Sequence, residues 1–148
     1  AIKRHDVPCE MLILEITESL LVRGPESVIP IMNKLVAMGF ALSLDDFGTG
    51  YSSLAYLKKF PITTLKIDRT FVTGIPEDTN DCAIAQAIVT MGKQLRQEIV
   101  TEGVETVEQM GFLRDLGCDQ LQGYLFSPPV PAAEFERMVR EDQRLVQT

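Results

Sequence analysis

The sequence predicts an α/β protein built on a parallel sheet, and three observations predict it. Short apolar runs of strand length alternate with amphipathic stretches of helix length along the chain; the runs are rich in Leu and Ile and bounded by turn residues; and polar side chains recur where the runs end. Five strands are expected, at residues 11–16, 40–45, 63–67, 98–101 and 120–125.

Each helix between them carries its own signals. Over residues 25–38, Val28, Ile31, Met32, Leu35 and Val36 recur at helical spacing, with Pro25 suited to a first turn and Gly39 to a C-terminal cap. Residues 80–96 set Ile84, Ile88, Met91 and Leu95 on one face behind the acidic or capping Asp78, Thr79 and Asp81. Thr106 and Gln109 have capping-box spacing ahead of Met110, Leu113 and Leu116, and Gly117 closes that helix. The last helix, 132–140, follows Pro128-Pro129-Val130-Pro131. Met32, Met38, Met91, Met110 and Met138 fall at or near apolar helical positions and read as core.

The 148 residues carry 14 Lys and Arg against 21 Asp and Glu, a formal charge of −7, with a pI near 4.7 and a mean hydropathy of +0.07. That is the balance of one folded unit, neither disordered nor fibrous. An acidic surface disfavours nucleic-acid polymers, whose binding needs basic groups to displace counterions. It leaves room for a small anionic ligand where metal ions supply positive charge. No apolar run approaches the roughly 18 residues of a membrane span and no charged-then-apolar leader opens the sequence, so a cytoplasmic location is expected. Cys9, Cys82 and Cys118 are widely spaced and outside any C-x-x-C pattern, which suggests neither a disulfide framework nor a zinc site. His5 is far in sequence from every candidate residue and reads as surface.

The chemistry lies in the polarity at the strand ends. Glu15 opposes Leu12, Leu14 and Ile16; Ser43 and Asp45 oppose Leu42 and Leu44; Lys66 opposes Leu65 and Ile67; Glu102 shares the parity of Val100 against Ile99. Because side chains alternate along a strand, these groups can all turn away from the helices and converge on the C-terminal rim, where parallel α/β folds bind their ligands. Taken singly, each acid reads as a cap or a solvated loop residue. Jointly they form a carboxylate cluster that repels itself unless neutralised, and a hard divalent cation with oxygen ligands is the usual solution. Adjacent Asp45 and Asp46 can reach two ions, the pattern of two-metal phosphate-ester hydrolysis, and Lys66 then suits a cation facing the phosphate or the attacking oxygen. In the segment 45–53, Gly48 and Gly50 form a lone G-x-G without the third glycine of a dinucleotide fingerprint. The segment reads either as a loop whose serines cap the next helix or as a functional lid.

Leu14-Glu15-Ile16-Thr17-Glu18, Asp45-Asp46-Phe47-Gly48-Thr49-Gly50-Tyr51-Ser52-Ser53-Leu54, Leu65-Lys66-Ile67-Asp68, Glu102-Gly103-Val104-Glu105-Thr106 and Gln122-Gly123-Tyr124 closely resemble the EAL domain, the cyclic di-GMP phosphodiesterase family. The five motifs stand in the family's order and span essentially the whole chain. The resemblance implies a TIM-like (β/α)8 barrel. Residues 1–148 would be an incomplete C-terminal part with about five strands, because the family's Glu-Ala-Leu strand and a later asparagine ligand lie upstream and do not occur here. An eight-stranded barrel typically takes about 250 residues, so an unpaired sheet edge is expected.

The resemblance also implies opening of cyclic di-GMP to linear pGpG with Mg²⁺ or Mn²⁺ in a two-metal site, Ca²⁺ being inhibitory. Position by position, Glu15 would bind the first metal, Asp45 would bridge both and Asp46 would bind the second. Glu102 matches a metal ligand also proposed as general base, Lys66 the lysine near the nucleophilic water, and Gln122 a late polar residue of the site. Glu18 matches the glutamate that holds the loop from Asp45 to Leu54, and Asp68 and Glu105 match acidic positions in or beside the site. The resemblance further implies cyclic di-GMP as partner, a homodimer formed through this domain, and fusion to sensor or GGDEF domains.

Two other readings stand beside this one. A receptor that binds cyclic di-GMP without cleaving it would lack metal ligands or the loop glutamate, and those that fall within this chain are present. A phosphorylation-switched receiver domain would need a further phosphoacceptor Asp between Asp45 and Lys66; only 21 residues separate the two and no strand end intervenes.

Overall fold

Five parallel strands lie side by side in sequence order in the computed structural model, which describes residues 2–22, 24–50 and 54–141: β1 (Ile13–Thr17), β2 (Ala41–Phe47), β3 (Thr64–Ile67), β4 (Glu98–Thr101) and β5 (Gln120–Leu121). A short helix α1 (Ile2–His5) precedes β1; α2 (Glu18–Val22) and α3 (Pro25–Ala37) connect β1 to β2, and α4 (Leu54–Leu57) connects β2 to β3. Then α5 (Thr79–Gln94) leads to β4, α6 (Val107–Leu116) to β5, and α7 (Ala132–Arg140) follows. Strand, helix and strand alternate as predicted, each crossover returning the chain to a parallel neighbour.

The alternation divides the sheet as its parity required. Leu42, Leu44, Leu65, Ile67 and Ile99 are fully buried and form the core with Met32 of α3, Ile88 and Val89 of α5 and Leu113 of α6. Ser43, Thr64 and Lys66 occupy the opposite face and are also buried, so β3 is enclosed on both sides. β1 pairs on one side only and is open: Ile13 is 56% exposed.

Three details differ from the sequence reading. The buried stripe of α5 is Ala85, Ile88, Val89 and Gly92, with Ile84 turned toward solvent. Gly92 decides that rotation: a Cβ there would overlap the Ile99 side chain, so its bare backbone is what lets α5 lie on β4. In α3, Ile31 and Val36 are exposed, and Met38, past the last turn, is 62% exposed rather than core. β5 is two residues long, because its continuation is spent on a turn: Phe126 N–H donates to Gly123 O, and Leu125 N–H to Val104 O.

The ends of the elements behave as their residues dictate. Asp78 caps α5 by accepting the Asn80 and Asp81 N–H groups. The capping box of α6 is complete, and Gly117 ends that helix at φ +92°, a left-handed conformation suited to glycine. At the N-terminal end of β5, Asp119 accepts from Ile99 N–H (2.6 Å) and from Lys93 Nζ (2.5 Å), tying α5, β4 and β5 together. Burial would raise the Asp119 carboxyl, but those donors win and hold it below the ordinary aspartate range.

Candidate active site

The C-terminal ends of β1 to β4 deliver four charged side chains to one place. Lys66 Nζ on β3 lies 2.7 Å from Glu15 Oε1 of β1, 3.0 Å from Asp45 Oδ1 of β2 and 2.6 Å from Glu102 Oε1, just past β4. Lys66 is 6% exposed. Burial alone would lower its pKa; the contacts with Glu102, Glu15 and Asp45 override that and hold the ammonium above the ordinary lysine range. Lys66, read from the sequence as a cation facing a phosphate or an attacking oxygen, is the cation on which three of the acids close.

A defect in the strand brings the second aspartate in. The β2–β3 register matches Leu44 to Leu65 and Phe47 to Ile67, so Asp45 and Asp46 stand together opposite Lys66. This two-against-one arrangement is a β-bulge, which re-aims side chains that a regular strand would send to opposite faces. Asp46 adopts φ +55°, a left-handed conformation that aspartate tolerates better than most residues. Burial first, then repulsion from Asp45 and Asp68, pushes the Asp46 carboxyl above its ordinary range.

The loops complete the rim. Glu18, at the start of α2 and 2% exposed, accepts the N–H groups of Gly48 and Gly50, both at 3.0 Å. Residues 51–53, including the serines read as caps, lie outside the described residues. Asp68 accepts from Thr70 N (2.9 Å) and Thr70 Oγ1 (2.6 Å) and so caps a short 3-10 turn. Its carboxylate still borders a cavity of about 380 Å³ that Asp46, Glu102, Glu105 and Gln122 also line. Arg69 and Tyr124 share that wall; Tyr124 stands in the Gln122-Gly123-Tyr124 motif without having been given a role, and Arg69, next to the motif residue Asp68, was not singled out from the sequence.

The donor set suits a hard cation: every candidate ligand is a carboxylate oxygen, and Asp45 Oδ1 is buried 3.0 Å from the Lys66 ammonium. Among the described residues, no three or more His, Cys, Asp or Glu side chains are grouped round a shared point as a finished metal cage. No described helix is long and apolar enough to cross a membrane.

The family model of the EAL domain matches residues 1–129. The chain belongs to the EAL domain family. It is 46% identical over 140 residues to the cyclic di-GMP phosphodiesterase NbdA of Pseudomonas aeruginosa, covering 95% of this chain and 18% of NbdA. It is 49% identical over 134 residues to the bifunctional diguanylate cyclase/cyclic di-GMP phosphodiesterase MucR of the same organism, covering 90% of this chain and 20% of MucR. This EAL chain thus spans about a fifth of the length of these curated relatives. A solved complex of the MucR phosphodiesterase with c-di-GMP superimposes with a TM-score of 0.87 over 90% of this chain and 54% of that one. BlrP1 of Klebsiella pneumoniae, solved with c-di-GMP and manganese and also with calcium, superimposes with a TM-score of 0.80 at 30% identity over 86% of this chain. The neighbours are barrel-forming EAL domains, and the five-stranded sheet is the matching portion of such a barrel.

Proposed function

We propose that this EAL chain carries the catalytic rim of a phosphodiesterase that opens cyclic di-GMP to linear pGpG with Mg²⁺ or Mn²⁺, in the cytoplasm. The observation that carries the reading is the convergence of Glu15, Asp45 and Glu102 on a buried Lys66, in a chain 46% identical to a cyclic di-GMP phosphodiesterase. Glu15, Asp45, Asp46 and Glu102 would hold the divalent ions. Such ions supply Lewis acidity, offsetting charge on a phosphate diester and acidifying an attacking water.

The chain's own residues do the rest. Lys66 presents a fixed positive charge to a phosphate oxygen, a pre-organised contact that costs no reorganisation as negative charge develops. Glu102 is placed to receive the proton of the attacking water, and Asp68, Glu105 and Gln122 border the cavity where the nucleotide would sit. Glu18 fixes the loop that follows Asp46 through two backbone amides. Homodimerisation, and attachment to sensor or GGDEF domains, belong to the same proposal; MucR, whose name pairs a diguanylate cyclase with the phosphodiesterase, supports the cyclase attachment alone.

The test uses the full-length protein that carries this sequence. With Mn²⁺ it should convert cyclic di-GMP to pGpG; EDTA should stop the reaction and Mg²⁺ or Mn²⁺ restore it. Ca²⁺ should support nucleotide binding with little turnover, because its loose coordination positions water poorly. Tight binding of uncleaved nucleotide at saturating Mn²⁺ would replace the enzyme with a receptor.

A further inference from the structure

The buried amide of Gln109 spans two loops of the rim. Its Oε1 accepts from Glu105 N–H (2.7 Å) and Thr106 N–H (3.1 Å), which is the capping role its sequence position announces. Its Nε2 does something a cap has no need of: it donates to Val72 O (3.1 Å), 37 residues away in the turn after β3. Gln109 is 5% exposed, so both ends of the amide are committed where water is scarce.

The two tied segments carry the acids of the site. Glu102 to Glu105 leave β4, and Glu102 Oε1 sits 2.6 Å from Lys66 Nζ. The turn that ends at Val72 begins at Asp68, and its Phe71 ring lies under Gly48 of the Glu18-held loop, where a Cβ would come within 2.8 Å of the ring. Gly103, at φ +72°, brings its backbone against Arg69 so closely that a Cβ would overlap the Arg69 side chain. The β4 loop therefore rests on the β3 turn where Gly103 meets Arg69, and among the described residues the Gln109 amide is the side-chain bond that joins them.

We infer that Gln109 is a positioning residue: its amide fixes the Glu102–Glu105 loop to the turn after β3 and thereby keeps Glu102 on Lys66. The inference rests on the phosphodiesterase reading for its kinetic test but has a separate structural readout. A one-ångström drift of a reacting group costs rate more than affinity.

The decisive comparison is between Gln109→Glu and Thr106→Ala in the full-length protein. Gln109→Glu keeps an acceptor for the Glu105 and Thr106 amides and loses the donor to Val72 O. Thr106→Ala breaks the other half of the capping box, Gln109 N–H to Thr106 Oγ1 (3.2 Å), and leaves the Val72 tie intact. For Gln109→Glu, kcat on cyclic di-GMP should fall about tenfold with KM within twofold, and amide exchange of Glu102 and Gly103 should speed up. Thr106→Ala should lower the melting temperature without moving kcat. Equal kcat losses in the two variants, or an unchanged kcat in Gln109→Glu, would overturn the inference. If Gln109→Glu does not fold, Gln109→Asn, one methylene too short to span both partners, decides on the same readouts. If the wild type itself does not turn over, the phosphodiesterase reading has failed, and the exchange of Glu102 and Gly103 in Gln109→Glu against wild type still decides the positioning role: unchanged exchange would overturn it.

Discussion

The loop after β2 and the loop after β4 bring acids to the same ammonium and are held in opposite ways. The β2 loop turns through positive φ at Asp46 and Gly48, is exposed from Gly48 to Gly50, and in its described residues is held by the buried Glu18 carboxylate, which accepts two amides. The β4 loop is anchored by several neutral bonds: Glu102 N–H to Ile67 O, Val104 N–H to Gln122 O, Leu125 N–H to Val104 O, and the Gln109 amide. Charge-assisted bonds are strong, but a buried carboxylate that loses its donors is expensive. Among the described residues, the tie from the β2 loop to another element is thus charged and concentrated on Glu18, whereas the ties of the β4 loop are neutral and spread over several groups.

The largest effects should come where the two loops meet. Asp45→Asn should bring turnover to background while the circular dichroism spectrum is kept; hydrolysis at the wild-type rate would remove Asp45 from the site. Lys66→Ala should lower kcat by at least about a hundredfold, since a preorganised charge is worth that much in a dry site, with a smaller change in nucleotide Kd. An unchanged kcat would contradict its role. Glu18→Ala comes next: kcat should fall by about tenfold or more, and amide exchange should accelerate at Gly48 and Gly50 but not at Val104. Acceleration at both loops would erase the contrast between them.

Gly123→Ala attacks the other loop. A Cβ at Gly123 would overlap the Val104 backbone, so the variant should lose about 3 kcal/mol, the upper end for overpacking against atoms that cannot move aside. Exchange should then quicken at Val104 and stay slow at Gly48. The smallest effect on the rim is expected from Asp119→Ala, at the opposite end of the strands. It leaves the buried Ile99 N–H unpaired and should cost about 2 kcal/mol of stability without changing kcat. Because the folded Asp119 carboxyl is held low, its contribution is present above the unfolded pKa of about 3.9 and is lost as pH falls through the lower folded value. Wild type and variant should therefore converge in strongly acidic urea titrations; a gap constant from pH 7 to pH 2 would contradict the assignment.

Much of this was legible in the sequence because it depends on period and spacing. The strand parity that sets Glu15, Asp45 and Lys66 against Leu14, Leu44 and Leu65 needs only alternation, and the Thr106–Gln109 box needs only a three-residue interval. What escaped depends on contacts distant in sequence. Nothing in the residues around Asp46 announces a bulge, whose cause is the β2–β3 register. The rotation of α5 follows from Gly92 meeting Ile99, and the second bond of Gln109 follows from a carbonyl 37 residues away. Asp68 is a cap and a cavity wall at once, so the two readings of an acid at a strand end were not exclusive.

The acids gathered on Lys66 are proposed to form a divalent-ion site. Anomalous diffraction at the manganese edge, from crystals of the full-length protein grown with Mn²⁺ and cyclic di-GMP, tests it most directly. Peaks bounded by Glu15, Asp45, Asp46 and Glu102 are expected. Saturating Mn²⁺ that leaves these four carboxylates without a peak would contradict it.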